Sequence, residues 1–140
     1  FAAVGSFAIS GALIALSDLI LGIEPWLLVA HLGVVACACC GLNGLAVGLG
    51  AVYPNMRTDN PSRIVSGFGG TFNLVASIFF VLELLALVAA PIHLEATGQL
   101  EPAPARLLTA AAVSVDLILA ALATWLPMRA GIRSFQDTEF

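Results

Sequence analysis

The sequence predicts an all-α membrane protein, a bundle of four transmembrane helices with both ends cytoplasmic, and three observations predict it. Four apolar runs, at about residues 1–21, 26–52, 64–90 and 107–126, each supply the roughly 20 mostly apolar residues that a helix needs to cross about 30 Å of hydrocarbon. The 140-residue chain is 60% hydrophobic and 10% charged, with a mean hydropathy of +1.03, whereas a soluble domain carries about a quarter charged residues. All five basic residues are arginines, and Arg57 and Arg63 fall after the second run while Arg129 and Arg133 follow the fourth, two places that an even number of spans puts on the same side.

The first run begins at once with Phe1, and no Lys or Arg precedes Ile23, so it reads as a true span rather than a cleaved signal with a positive leader. This start makes the chain read as the C-terminal piece of a longer one. The break at Gly22 to Pro25 carries Glu24 and is expected on the outer side. Trp26 then opens the second span where an interfacial tryptophan belongs. That span carries small residues at Gly33, Cys37, Cys40, Gly44, Gly48 and Ala51, three, four or seven apart and therefore on one helix face. Gly44 and Gly48 form a Gly-x-x-x-Gly pair, and the face is read as a packing surface, because close backbone approach is what holds helices together where lipid removes the hydrophobic drive. Gly70 and Ser77 in the third span offer a matching set with Ser66 and Asn73, which makes the second and third spans the expected neighbours, with a bond between Asn43 and Asn73.

Between them, Pro54 cannot continue the second helix, Asn60 is a good N-cap, and Pro61 suits a first helical position, so the third helix is expected to begin near Pro61. Asn55, Arg57, Asp59, Asn60, Pro61 and Arg63 form an exposed cytoplasmic loop on this reading. The break from Pro91 to Arg106, with His93, Glu95 and Glu101, faces out again. Trp125 closes the fourth span, and residues 127–140 form a cytoplasmic tail, making the whole chain one transmembrane helical region.

The segment Gly48-Leu49-Gly50-Ala51-Val52-Tyr53-Pro54-Asn55, followed by Asp59-Asn60-Pro61 and then Gly69-Gly70 before an apolar span, resembles the C-terminal membrane part of bacterial type-2 ABC exporter permeases. The ending from Gly131-Ile132-Arg133 to Glu139-Phe140 is similar to the short tail of that group. The resemblance is firm from about Gly44 to Asn73 and loose elsewhere. It implies a multi-pass permease subunit of the bacterial inner membrane, with an ABC ATPase partner that binds ATP and Mg on the cytoplasmic face, and a second membrane subunit. No cofactor is expected in this chain. It has no lysine, which excludes a Gly-x-x-x-x-Gly-Lys-Ser/Thr phosphate loop within these residues, so ATP hydrolysis is expected on another polypeptide or outside this segment.

Four ionisable residues fall inside the spans: Asp18, His31, Glu83 and Asp116. At about 1.5 Å rise per residue, Asp18, His31 and Glu83 reach the outer half of the bilayer and Asp116 lies near its middle. Intramembrane acids are costly and usually face a bundle interior or water, which makes Glu83, Asp116 and His31 candidates for a substrate path or proton relay. The plainer reading is a hydrated vestibule, or neutral acids that fix helix register, with His31 a satisfied packing histidine. Cys39 points away from Cys37 and Cys40 within one helix, and cysteine in a span behaves as a small apolar residue, so no metal site is expected. Nucleic acid is excluded as a partner by the scarcity of basic residues.

Three functions fit these features. An ATP-driven exporter uses the helices to line or support a translocation path. A proton- or ion-coupled carrier uses Glu83 and Asp116 directly. A non-transporting membrane scaffold uses only the small-residue faces.

Overall fold

The computed structural model describes residues 1–53 and 68–136. These residues form four helices, α1 (Ala2–Leu21), α2 (Pro25–Val52), α3 (Phe68–Ala96) and α4 (Pro102–Gln136), with no strand among them. All four contain a stretch long and apolar enough to cross a membrane. The expected loop from Asn55 to Arg63 and the expected start of the third helix near Pro61 lie outside the described residues.

Two glycines set the helix ends at one side of the bundle. Gly22 adopts φ +67°, its N–H bonds Leu19 O at 3.3 Å, and Ile23 N–H reaches back to Asp18 O at 2.9 Å. Gly98 repeats the device at φ +71°, with Gly98 N–H on Glu95 O at 3.0 Å and Gln99 N–H on Leu94 O at 2.9 Å. Both are the left-handed, doubly bonded stop that satisfies the last carbonyls of a helix. Pro25 then occupies the first turn of α2, where a missing N–H costs nothing.

Two prolines expected to mark span ends lie inside helices instead. Pro91 is buried within α3, which runs on to Ala96 rather than stopping at Ala90, and Pro127 lies within α4, which continues past the expected start of the tail to Gln136. Each proline removes one helical hydrogen bond, a loss that packed membrane helices tolerate.

α2 is the hub of the bundle. It packs most extensively on α4, less so on α3 and α1, while α3 and α4 also touch and, among the described helices, α1 packs on α2 alone. The α2 glycines meet α4 in matching order along the two helices: Gly33 faces Val113, Gly44 faces the Thr124 backbone, and Gly48 faces Pro127, while Gly131 faces Ala51. The order of these pairs makes α2 and α4 parallel neighbours. A side chain at Gly44 or Gly48 would collide with backbone atoms, so glycine is what allows the two backbones to approach. Thr124 Oγ1 adds a polar tie, donating to Ala120 O at 2.8 Å within α4 and lying 3.1 Å from Cys40 O on α2.

The small-residue face of α2 therefore packs chiefly on α4, and not on α3 as the matched glycines and serines predict. Only Gly41 of α2 receives a large α3 side chain, the Phe80 ring. The physical reason is shape. Gly70 and Ser77 of α3 border a cavity of about 490 Å³ with Tyr53 and Asn73, whereas Phe80, Leu84 and Val88 supply the buried surface of α3. The apolar core groups Cys37, Phe80, Leu84 and Ala120 from α2, α3 and α4.

Candidate functional site

The polar residues inside the helices separate into two places. The first lies where the end of α1 meets the start of α2. Asp18, one turn before the Gly22 stop, is 8% exposed, and its Oδ2 lies 2.8 Å from His31 Nδ1. The contact sets the orientation of the His31 ring. It is also the side-chain hydrogen bond that links α1 to α2. The pair borders a cavity of about 560 Å³ walled by Val35, Leu85 and Ile92, with His93 on the α3 side. The site is therefore a mostly apolar recess with a fixed Asp–His pair and a second histidine at its edge.

The second place is the middle of the bundle. Asp116 on α4 is fully buried, and neither of its carboxyl oxygens has a hydrogen-bond partner among the described residues. One turn to either side, Ala112 and Ala120 are buried against the neighbouring helices. The Cys37 thiol and the Glu83 carboxyl lie within electrostatic range. An unpaired carboxylate at this depth would cost several kcal/mol, so Asp116 requires a proton, a cation or a donor brought to it. Thr109, also buried and two turns earlier on α4, has no such demand, because its hydroxyl donates to Ala105 O at 2.9 Å.

Asp18 and His31 thus meet as their depths predict, while Glu83 does not join them. It projects from the outer surface of the bundle near the middle of α3, on the side of Asp116. Asn43 and Asn73 do not bond either. Asn43 donates to Cys39 O at 2.7 Å on its own helix, and Asn73 Oδ1 is buried without a partner. All three cysteines are free, and no metal-ligating cluster of three or more groups occurs among the described residues. Of the packing residues, Gly33, Gly44 and Gly48 lie on the α4 seam, Cys37 lies in the apolar core, and Gly70 and Ser77 border the cavity beside Tyr53.

Sequence reasoning missed a cluster at the bundle end that carries the helix stops. Arg106 Nη2 donates to Glu24 Oε2 at 3.0 Å and its guanidinium lies 5.3 Å from the Trp26 ring centre, while Trp26 Nε1–H donates to the same Glu24 oxygen at 2.6 Å. The one signal for it was an arginine standing alone among outer acids. At the opposite end Arg129 lies 4.9 Å over Trp125, and both border a groove of about 1040 Å³ between α2 and α4.

No curated protein and no solved structure matches this chain. The sequence profile of the family described as "Putative ATP-binding cassette" matches residues 1–140, and the chain belongs to that family.

Proposed function

We propose that this chain is the membrane-spanning permease part of an ATP-driven ABC exporter in a bacterial inner membrane. The observation that carries the reading is the conjunction of an ATP-binding cassette family with a matched region made of four membrane-length helices and lacking lysine. Such a region supplies the path and not the phosphate chemistry. ATP and Mg then bind a separate ATPase or a segment outside these residues, on the side of Arg57 and Arg63. Glu83 supports a second membrane subunit or further helices of the same protein, since a carboxyl facing outward at mid-span is costly against lipid and finds donors against protein. In this reading, helix movement on ATP closure opens and shuts the recess beside Asp18 and His31.

The test is purification of the protein in mild detergent with any bound ATPase, compared with Arg57→Glu/Arg63→Glu. Co-purification of a vanadate-sensitive ATPase is the expected result, and its loss in the double variant places the contact on that loop. Purification without any ATPase, on the same chain or a partner, sinks the exporter reading.

One observation favours a second reading, a proton- or ion-coupled carrier: the buried, unpartnered carboxyl of Asp116. That reading expects transport driven by a pH or ion gradient without ATP, abolished by Asp116→Asn. Transport that requires ATP and survives Asp116→Asn removes it.

A further inference from the structure

We propose that the groove between α2 and α4 is a binding site for an anionic phospholipid, with one acyl chain lying along the groove and the phosphate held by Arg129 and Arg133. The proposal goes beyond the exporter reading and requires only that the four helices cross a bilayer.

Three features of the groove carry it. The first is charge. Arg129 and Arg133 are one helical turn apart on the same face of α4, both border the groove, and neither forms an ion pair with a carboxylate among the described residues. Arg106 at the other end is different, because Glu24 already occupies it at 3.0 Å. Two guanidiniums with no ion-pair partner among the described residues present the forked donors that match phosphate oxygens.

The second feature is length. From Arg129 the groove runs up α4 past Trp125 to Leu117, and along α2 by Cys40 and Cys37. Twelve residues of helix measure about 18 Å, close to the roughly 15 Å depth of one leaflet of a 30 Å hydrocarbon core. A chain whose headgroup sits at the arginines therefore ends near the middle of the bundle.

The third is surface. The walls between those ends are apolar, and Leu117 and Trp125 are more than half exposed, so the groove opens sideways to the lipid rather than into the bundle. Trp125 stacks under Arg129 and fixes it at headgroup depth, the level at which interfacial tryptophan settles. Basic pockets between spans are recognised seats for acidic headgroups, each arginine contributing about 1 kcal/mol, which is roughly fivefold in occupancy.

The test uses tryptophan fluorescence, because the chain has two tryptophans and one lies at each end. In Trp26→Phe, Trp125 is the sole reporter. That chain is placed in phosphatidylcholine bilayers containing the same minor fraction of either dibrominated phosphatidylglycerol or dibrominated phosphatidylcholine. The expected result is preferential quenching by the acidic lipid, corresponding to at least about fivefold enrichment, lost in Arg129→Gln/Arg133→Gln. In Trp125→Phe, Trp26 reports from the compensated end and shows no preference.

Equal quenching by both lipids overturns the site, and points to the tail carboxylates Asp137 and Glu139 or another partner holding the arginines. No quenching by either lipid also overturns it, because another protein segment then fills the groove. A preference that survives the double glutamine variant, or that appears equally at Trp26, shows general attraction to the surface and no site.

Discussion

At one end of the bundle Arg106 lies over Trp26 with Glu24 at 3.0 Å; at the other, Arg129 lies over Trp125 with no described carboxylate beside it. The same cation–aromatic pairing therefore serves two purposes. The Glu24 end is closed on itself: two left-handed glycine stops, a neutralised arginine and the Asp18–His31 pair tie α1, α2 and α4 together by polar contacts. The Arg133 end is held by backbone proximity, Gly44 and Gly48 against Thr124 and Pro127, and among the described residues its arginines form no ion pair. Where packing supplies cohesion, polar groups remain available for binding. Recesses occur at both ends, about 560 Å³ beside the Asp18–His31 pair and about 490 Å³ beside Tyr53 and Asn73.

The sharpest way to break this contrast is Gly48→Leu, which drives a branched side chain into the α4 backbone. The expected loss is about 3 kcal/mol, read as a lowered midpoint in detergent unfolding. A neutral outcome would mean that the seam is not what holds that end. Between the two ends, Asp116→Val removes an unpartnered buried carboxyl, and stability is expected to rise by about 1 to 3 kcal/mol. A fall instead would reveal a partner that Asp116 meets in the membrane.

At the polar end, His31→Leu cuts the link between α1 and α2, and the expected cost is near 1 kcal/mol, since bonds between membrane helices average about 0.6. Proteolytic release or exchange of α1 should rise while the α2–α4 contact is unchanged, and protection of α1 in the variant would show that apolar contacts alone hold it. Smallest of all is Glu24→Gln, expected to cost below about 1 kcal/mol because the ion pair is exposed. Its use lies in exposing Arg106: in Glu24→Gln, Trp26 should acquire a preference for acidic lipid that it otherwise lacks.

The existence of all four helices was legible in the apolar runs, and so was the meeting of Asp18 with His31, because depth follows from residue count along a helix. Facing was less legible. A span is apolar on every side, so periodicity does not separate a buried face from a lipid-facing one, and Glu83 looked as able to turn inward as Asp116. The partner of the α2 glycines was hidden for a related reason. Small residues occur on both α3 and α4, and the choice fell to Phe80, whose bulk limits close approach along α3, and to Thr124 and Pro127, which fit against glycine. Pro91 and Pro127 look like stops in a soluble helix, but each lies in a helix packed against others. His93, at the recess edge, was read as part of an outer loop because the helix was expected to end before it.

The parallel pairing of α2 with α4 bears on how the protein is made. Helices leave the ribosome in order, and α2 enters the bilayer well before α4 exists. Throughout that interval Gly44 and Gly48 face lipid, with a gap where Thr124 and Pro127 belong. A nascent chain halted before α4 is left with its most extensive helix contact unmade. Arrival of α4, and not insertion of the three helices before it, is what closes the α2–α4 seam.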